Sequence, residues 1–314
     1  MTTLILKPVS PAERSQWIDA FHAADPTLTI IDWDDPSVPP ETVDYAFAWQ
    51  PEGRRIAAMP NLRAVISPAA GLDHILRDPA FPRDMPLYRM GTQETVDQMG
   101  DYVCWAALTL VRDAWRWAEA QARQEWSPWL NQTRTAATTT VGVMGLGELG
   151  RATALRLKAL GFQVCGWARS AHHIDGVDTF AGDDAFIPFL NRTDILVSLL
   201  PATSQTAGIL GKKTFAHLRP QASIISVGRG SQLIAQDLVD AINSNVLRGA
   251  VLDVVPQEPL PQDSPLWTCR GVTISPHMAS EASYRDRAAY AVSVIHQIEA
   301  GKQPALRYDP AKGY

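Results

Sequence analysis

The chain has 314 residues, which is about twice a typical domain length and favours two domains or one large one. Its composition, 46% hydrophobic and 19% charged, supports sizeable cores and excludes a disordered chain or a small disulfide-stapled module. The net charge of −5, without any run rich in Lys or Arg, argues against nucleic acid and anionic membranes as partners.

The N-terminal residues lack the basic-then-apolar order of a secretory signal, and no stretch approaches the roughly 18 apolar residues of a membrane span. We therefore expect a cytoplasmic protein. Cys104, Cys165 and Cys269 lie far apart and fit neither a disulfide framework nor CxxC metal spacing. We predict buried thiols and no metal site.

Through the first hundred residues, short β-branched or aromatic runs alternate with helical stretches. Ser10-Pro11-Ala12-Glu13 has a capping serine, a proline at the first helical position and the glutamate of a capping box, so it predicts a helix start. The alternation with short links predicts parallel strands. The predicted strands are Thr3–Lys7, Thr27–Trp33, Val43–Trp49 and Arg63–Ser67.

Residues 93–123 carry a long helical pattern whose apolar residues are too numerous for a single stripe. Five of the ten tryptophans fall between residues 105 and 129. They could form ordinary core, but tryptophan is enriched at subunit interfaces. We expect a homodimer through the Trp-rich region 95–130.

A second series of strands follows a polar, threonine-rich stretch at residues 131–140, and helix-length segments separate most of these strands. This order is typical of a doubly wound α/β sheet. A last helix is predicted from Glu281 to Gly301. The predicted strands are Thr140–Met144, Gln163–Trp167, Asp194–Leu199, Ser223–Val227, Gly249–Asp253 and Val272–Ser275.

Three glycines, Gly145, Gly147 and Gly150, follow the first of these strands with GxGxxG spacing and open the helical run 151–160. The first glycine permits a tight turn, the second a close approach of a pyrophosphate, and the third a close contact of helix and strand. The motif alone is weak, but its position between a strand and a helix predicts dinucleotide binding.

The end of the next strand bears on the choice of dinucleotide, because a carboxylate there usually binds the ribose 2′-hydroxyl of NAD. The chain instead has Arg169 and Ser170, and its first acid after the strand is Asp175. Arginine and serine can bind a 2′-phosphate. We therefore predict NADP(H) as the preferred cofactor, with NAD(H) possible; alternatively, Arg169 is an exposed turn residue.

Polar residues follow three late strands: Arg229, Glu258 and His277. Carboxyl ends of parallel strands are where open α/β sheets bind ligands. Reduction of a 2-oxo acid needs a proton donor, a cation for the developing alkoxide and the substrate carboxylate, and a carboxylate that keeps the donor protonated. His277, Arg229 and Glu258 can supply these roles, although each alone could be a cap, a surface charge or an ordinary histidine.

At these residues the sequence resembles the D-isomer-specific 2-hydroxyacid dehydrogenase family, over nearly the whole chain. The matching motifs occur in the family's order: Gly145–Gly150, Leu199–Thr203 with Thr206, Gly228–Gly230, Gly249–Asp253, Glu258–Pro261 with Pro265–Trp267, and Ser275–His277. The resemblance implies that Arg229, Glu258 and His277 form the catalytic triad. It also implies that Asp253 contacts the nicotinamide carboxamide.

The family implies two doubly wound parallel-sheet domains: a Rossmann-type NAD(P)-binding domain, residues 103–280, inserted in a flavodoxin-like substrate domain, residues 1–102 and 281–314. A loop like Gly71-Leu72-Asp73 offers backbone N–H groups to the substrate carboxylate. The implied substrate ligands are Trp49, Ala70, Gly71, Leu72, Arg229 and His277. In such a pocket Trp49 would restrict substrates to small ones or stack on aromatic ones; alternatively, it only ends a buried strand. The implied cofactor ligands are Gly145, Gly147, Glu148, Leu149, Gly150, Arg169, Ser170, Leu200, Pro201, Thr206, Val227, Gly228 and Asp253.

Shorter matches, such as Trp49-Gln50-Pro51 and Trp167–Ser170, are similar to the glyoxylate and hydroxypyruvate reductase branch. The chain departs from the family pattern after His277, where Ala282 replaces a threonine and a basic residue appears only at Arg285. We expect an NADPH-preferring reductase of small 2-oxo acids. The alternatives are a reductase of bulkier branched or aromatic 2-oxo acids and a nucleotide-sensing interaction protein of the same fold.

Overall fold

The computed structural model describes residues 2–130, 134–311 and 313. The chain divides into two compact units, the first formed by Met1–Thr95 with Ala282–Tyr314 and the second by Val96–Glu281. The sequence-based boundaries differ, at 102/103 and 280/281. The first division falls inside a helix, so no turn residue marks it in the sequence.

The described residues contain twelve strands and ten α-helices, numbered here in chain order. The strands are Thr3–Lys7 (β1), Thr29–Asp32 (β2), Tyr45–Ala48 (β3), Ala64–Ile66 (β4), Leu87–Tyr88 (β5), Thr140–Met144 (β6), Gln163–Ala168 (β7), Asp178–Ala181 (β8), Ile195–Ser198 (β9), Ala222–Ser226 (β10), Leu247–Leu252 (β11) and Val272–Ile274 (β12). The helices are Arg14–Ala24 (α1), Gly53–Ala57 (α2), Asp73–Leu76 (α3), Gln93–Arg112 (α4), Ala114–Ala122 (α5), Glu148–Ala159 (α6), Phe186–Leu190 (α7), Lys212–Phe215 (α8), Ala235–Asn243 (α9) and Tyr284–Glu299 (α10).

The first unit is built on a parallel five-stranded sheet with the order β2-β1-β3-β4-β5, the order of flavodoxin-like folds. Both faces of the sheet are covered, because successive side chains of a strand point to opposite sides. Leu4 and Leu6 pack in a core with Trp17 of α1 and with α10. Ile5 packs in the opposite core with Ile56 and other residues.

The second unit contains a parallel seven-stranded sheet with the order β12-β11-β10-β9-β6-β7-β8. Counted from β6, this is the doubly wound order 3-2-1-4-5-6 with one further strand. The chain reverses direction across the sheet between β6 and β9, and such a switch point is where these sheets bind ligands. The predicted α/β class with two doubly wound parallel sheets is therefore confirmed.

Two parts of this fold differ from the sequence-based prediction. Strands β5 and β8 were not predicted, since the first has only two residues and the second follows a turn without a long apolar run. The predicted helix over residues 93–123 is broken at Asp113, which has a left-handed φ of 50°. The Asp113 carboxylate is buried and paired with Arg134 and Arg248, and these long-range ion pairs fix the break.

The tryptophan-rich region is only partly buried. Trp126 and Trp129 have 92% and 76% of their surface exposed, and Trp105 and Trp117 are also exposed. These four tryptophans are therefore not part of the core of the described chain. Trp117 and Trp126 line one groove of the second unit that the described chain leaves uncovered.

The three cysteines are free and buried, as predicted. Burial raises the pKa of the Cys165 thiol to about 11, which disfavours the reactive thiolate. Among residues 2–130, 134–311 and 313, no His, Cys, Asp and Glu side chains converge as a metal-ligand cluster. Over the same residues, none of the helices combines the length and apolar character needed to cross a membrane.

Candidate active site

The glycine-rich turn after β6 has the geometry that its sequence predicts. Gly145 has a φ of 93°, in the left-handed region that favours glycine, and its N–H donates to the Trp167 carbonyl over 2.8 Å. A Cβ atom added to Gly150 would overlap the Gly145 carbonyl group. The first glycine therefore makes the turn, and the third lets α6 begin directly against it.

The middle of this turn fits the pyrophosphate of a dinucleotide. A Cβ atom added to Gly147 would meet no described atom within 4 Å, so this glycine faces open space rather than packing. Gly147 is also the N-cap residue of the twelve-residue helix α6, which starts at Glu148 and Leu149. The free N–H groups and the dipole of a helix N-terminus favour an anion there.

The end of β7 carries a basic side chain in the position that a carboxylate occupies in many NAD sites. Arg169 is exposed, and its guanidinium lies 3.5 Å from the Gln205 side-chain oxygen. Ser170 is exposed beside it and lies 3.5 Å from a ring nitrogen of His172. Asp175, the first acid after the strand, is paired with His173 instead. A cation and a hydroxyl group are therefore available for a phosphate at this edge.

The carboxyl ends of β9 and β10 are joined by one buried amide, that of Gln232, which the sequence analysis did not predict. Its oxygen accepts hydrogen bonds from the Ser198 hydroxyl (3.0 Å) and the Arg229 N–H (3.3 Å). Its nitrogen donates to the carbonyls of Leu200 (2.8 Å) and Pro201 (3.1 Å). All four hydrogen-bonding positions of the amide are used, so Gln232 fixes both strand ends.

Several predicted cofactor residues lie in these two joined segments. The Thr206 hydroxyl donates to the Pro201 carbonyl over 2.7 Å, which closes the turn after β9. Val227 is buried, and a Cβ atom on Gly228 would lie 2.6 Å from the Gln232 oxygen. Close packing against Gln232 therefore explains the glycine at position 228.

Arg229 lies three residues beyond β10, with extended backbone and a partly buried side chain. One guanidinium nitrogen donates to the Gly228 carbonyl over 2.8 Å. Gly230, the next residue, packs so closely on the Val255 carbonyl that a Cβ atom would overlap it. The backbone around Arg229 is thus held from both sides.

His277 and Glu258 form a hydrogen-bonded pair. The distance between His277 Nδ1 and a Glu258 carboxylate oxygen is 2.8 Å, and the other Glu258 oxygen accepts from the Val255 N–H at 3.2 Å. The His277 side chain is 49% exposed, so its ring remains accessible. Since Nδ1 is used by the carboxylate, Nε2 is the ring nitrogen that can exchange a proton with a ligand.

The backbone at His277 is held in a left-handed conformation with φ of 54°, which is uncommon for a residue other than glycine. The Asp253 carboxylate, which is buried, fixes the segment on both sides of His277. It accepts hydrogen bonds from the Ser275 hydroxyl (2.7 Å) and from the N–H groups of Met278 (2.8 Å) and Ala279 (3.0 Å). Asp253 therefore has a structural function in the described chain in addition to the nicotinamide contact that the family resemblance implies.

Tyr102, on α4, extends this network. Its hydroxyl group is 2.5 Å from the Ser275 hydroxyl, which in turn donates to Asp253. Burial raises the pKa of Tyr102 to about 12, so the phenol stays protonated. Neither Tyr102 nor Ser275 was predicted as a site residue, and only the Ser275-Pro-His277 motif could have indicated the latter.

The other predicted substrate ligands belong to the first unit. Trp49 follows β3 and is half-buried, while Ala70, Gly71 and Leu72 form the loop that leads into α3. The Trp49 ring stacks on the buried His74 ring, with centroids 3.9 Å apart and planes inclined by 18°. His74 was not predicted, and it connects the two segments that were.

Taken together, a glycine turn shaped for a dinucleotide and a His–Glu pair at the carboxyl edge of the same doubly wound sheet define a nucleotide-dependent oxidoreductase. Known proteins agree with this class. Residues 104–279 match the family model described as "D-isomer specific 2-hydroxyacid dehydrogenase, NAD binding domain".

Relatives match over the full length of the chain. The glyoxylate/hydroxypyruvate reductase A of Yersinia enterocolitica is 35% identical, over 96% of this chain and 97% of that protein. A D-isomer-specific 2-hydroxyacid dehydrogenase of Xanthobacter autotrophicus, solved with NADPH and MES, is 35% identical, covers 100% and 99% of the two chains and has a TM-score of 0.94. The NADPH-dependent glyoxylate/hydroxypyruvate reductase of Sinorhizobium meliloti, solved with NADP and sulfate, is 33% identical over 100% of both chains, with a TM-score of 0.92.

The chain belongs to the D-isomer-specific 2-hydroxyacid dehydrogenase family.

Proposed function

We propose that this protein is an NADPH-preferring reductase that converts small 2-oxo acids, glyoxylate and hydroxypyruvate, to 2-hydroxy acids. The observation that carries the proposal is the His277–Glu258 pair, 2.8 Å apart, at the edge of a sheet whose glycine turn fits a dinucleotide. The choice of substrates is supported by the relatives, two of which are named for these reductions.

His277 is the proposed general acid. When bound, the reduced nicotinamide supplies a hydride to the C2 atom of the substrate. His277 Nε2 then delivers its proton to the carbonyl oxygen, since Nδ1 is engaged with Glu258. The Glu258 carboxylate accepts a hydrogen bond from Nδ1 and so fixes the orientation of the ring. The Arg229 guanidinium binds the substrate carboxylate and stabilises the negative charge that develops on oxygen.

Substrate binding also involves the first unit in this proposal. The N–H groups of Gly71 and Leu72, with Ala70 beside them, bind the substrate carboxylate, and the indole of Trp49 limits the size of the substrate side chain. This assignment rests on the family resemblance at these residues. Their common connection to His74 supports it.

The preference for NADPH rests on Arg169 and Ser170, which offer a cation and a hydroxyl group to the 2′-phosphate. The other proposed cofactor contacts lie in the two fixed regions described above, the glycine turn and the ends of β9–β11. They are Gly145, Gly147, Glu148, Leu149, Gly150, Leu200, Pro201, Thr206, Val227, Gly228 and Asp253.

A spectrophotometric assay tests the reaction. The oxidation of NADPH and NADH is followed with glyoxylate, hydroxypyruvate, pyruvate and phenylpyruvate, with His277→Ala as the control. We expect turnover with the two small substrates that depends on His277. Preference for phenylpyruvate would favour the alternative of bulkier substrates. No turnover with any 2-oxo acid, together with tight nucleotide binding, would favour a nucleotide-sensing interaction protein.

Arg169→Ala tests the cofactor preference. Loss of charge-assisted hydrogen bonds to a phosphate costs roughly 1.5–3 kcal/mol, so the ratio of kcat/KM for NADPH over NADH should fall by about tenfold or more. Arg192→Ala is the matched control, since Arg192 is paired with Asp178 on the same sheet. An unchanged ratio, or faster turnover of the wild type with NADH, contradicts the function of Arg169.

We further propose that a second copy of the chain covers the tryptophan-rich surface, so that the enzyme is a homodimer. Trp105, Trp117, Trp126 and Trp129 are exposed, and Trp and other aromatic residues are enriched in interface cores. Light scattering should give twice the chain mass of 34.4 kDa. The double change Trp126→Ser and Trp129→Ser should yield monomers, whereas Trp267→Ser, at another exposed tryptophan, should not. A wild-type monomer at micromolar concentration contradicts the proposal.

A further inference from the structure

His74 is a buried side chain at the start of α3 that the proposed reaction does not use. Its ring connects two separate segments of the first unit. Nδ1 accepts a hydrogen bond from the Gln50 N–H (3.1 Å), next to Trp49, and Nε2 lies 2.8 Å from the Ser67 hydroxyl. Both segments carry residues assigned to the substrate.

The hydrogen bonds determine the form of the imidazole. The Gln50 N–H can only donate, so Nδ1 carries no proton and the neutral ring has its proton on Nε2. Nε2 therefore donates to the Ser67 hydroxyl, which donates in turn to the Ala69 carbonyl and accepts from the Ala69 N–H, both at 3.0 Å. Through Ser67, one ring thus fixes the start of the loop that contains Ala70, Gly71 and Leu72.

The Trp49 side is fixed by two further features. Gln50 has a φ of 47°, a left-handed conformation that is unfavourable for glutamine unless a contact stabilises it. The hydrogen bond to His74 Nδ1 is such a contact. The Trp49 ring stacks on the face of the His74 ring, and the Trp49 N–H continues the sheet by donating to the Lys7 carbonyl over 2.8 Å. The indole therefore has one supported orientation.

We propose that His74 is the positioning residue that fixes Trp49 beside the Ala69–Leu72 loop, and that its hold on Trp49 makes the enzyme selective for small 2-oxo acids. The inference rests on the proposed function, because that function places Trp49 at the wall of the substrate pocket. A fixed indole leaves a pocket of fixed size, in which a substrate with a bulky side chain is excluded. An indole released from His74 can move and admit such a substrate.

Two amide substitutions separate the two hydrogen bonds of His74. In His74→Asn, the side-chain oxygen can replace Nδ1 as the acceptor for Gln50, whereas in His74→Gln the longer side chain can replace Nε2 as the donor to Ser67. We expect His74→Gln to lower the kcat/KM ratio of glyoxylate over phenylpyruvate by about tenfold, through opposite changes in the two KM values. His74→Asn should change this ratio less than threefold. The KM for NADPH should stay within twofold in both variants.

Hydrogen exchange of the Gln50 amide gives a readout that does not depend on activity. Exchange should accelerate at least tenfold in His74→Gln and stay close to the wild-type rate in His74→Asn. His22→Asn, at an exposed histidine on α1, is the control and should change neither exchange nor selectivity. Trp49→Ala is a second variant for the case that substitutions of the buried His74 prevent folding. It leaves His74 intact and should also lower the selectivity ratio.

The inference is wrong if the selectivity ratio of His74→Gln or Trp49→Ala stays within twofold of the wild type. It is also wrong if the Gln50 amide remains protected in folded His74→Gln. A wild type that reduces no 2-oxo acid would refute the proposed function, and with it the selectivity, whereas the exchange rates would still decide whether His74 holds Gln50.

Discussion

The glycine turn after β6 and the edge formed by the ends of β10–β12, which carries the proposed catalytic residues, are constructed in different ways. The turn depends on backbone conformation within six residues, from Gly145 to Gly150. The edge depends on side-chain hydrogen bonds between residues far apart in sequence, such as those of Tyr102 with Ser275, Gln232 with Ser198, and Asp253 with Ser275. A turn of this kind fails through steric overlap, whereas a side-chain network fails through unsatisfied polar groups.

The largest effect should come from breaking the turn. Gly150→Ala places a methyl group on the Gly145 carbonyl, so α6 cannot begin against the turn. We therefore expect the affinity for NADPH to fall at least 100-fold and the Tm of the protein to fall as well. Gly147→Ala is the matched variant, since its Cβ meets no described atom within 4 Å. It should keep the Tm within about 2 °C and weaken only nucleotide binding.

Fluorescence titration with NADPH and thermal melting measure the two effects. Equal Tm losses in Gly147→Ala and Gly150→Ala would show that both glycines serve packing. Wild-type affinity in both variants would show that the turn does not hold the pyrophosphate.

At the edge that carries the proposed catalytic residues, the next largest effect should come from substituting Gln232. Gln232→Leu removes a buried amide that satisfies four partners, and each unsatisfied buried group costs about 1–3 kcal/mol. We expect a loss of about 3 kcal/mol in the free energy of unfolding and a fall of about 30-fold in kcat/KM. Urea unfolding measures the free energy of unfolding, and steady-state kinetics measure kcat/KM. Gln236→Leu, on the exposed side of α9, is the control and should change neither the free energy of unfolding nor kcat/KM. Wild-type kinetics in Gln232→Leu would contradict the idea that Gln232 positions Arg229.

These differences explain what the sequence could predict. The strands β1 and β6 were predicted with the observed bounds, because compact β-branched runs determine them locally. The glycine turn was predicted because Gly145 and Gly150 are required locally by the backbone, while Gly147 leaves space for a pyrophosphate. Glu258 and His277, which the sequence predicts as catalytic residues, are hydrogen-bonded to each other.

The supporting residues could not be predicted, since a buried glutamine or tyrosine has no local signature. Gln232, Tyr102 and His74 matter only through partners distant in sequence or through burial. The break at Asp113 has the same origin, because its ion pair with Arg248 spans more than a hundred residues. For the tryptophans, only their number between residues 105 and 129 indicated an unusual surface, and no local pattern predicted which of them are exposed.

The smallest effect should come from the outer end of the network. Tyr102→Phe removes the hydrogen bond to Ser275 and should lower kcat about threefold.

The pH dependence of the free energy of unfolding tests the buried Tyr102 phenol more specifically than kcat does. Burial raises the pKa of Tyr102 to about 12, above its ordinary value near 10, so the folded state disfavours the phenolate. This contribution to stability is complete below pH 10 and is lost as the pH rises from 10 to 12.

Urea unfolding between pH 9 and 11 tests this. The free energy of unfolding should fall less steeply with pH in Tyr102→Phe than in the wild type. Tyr308→Phe, at a partly exposed tyrosine, is the control for the loss of one phenol. Parallel pH profiles of Tyr102→Phe and the wild type would contradict the buried hydrogen-bonded phenol.

In the proposed reaction, His277, oriented by Glu258, gives the proton while the glycine turn holds NADPH independently. A stopped-flow measurement of NADPH oxidation by glyoxylate, with the wild type and His277→Asn, tests it most directly. We predict that the rate constant falls about 10³-fold, within the range for loss of a general acid, while the Kd for NADPH stays within twofold. A rate constant within tenfold of the wild type, at unchanged Kd, would contradict the assignment of His277.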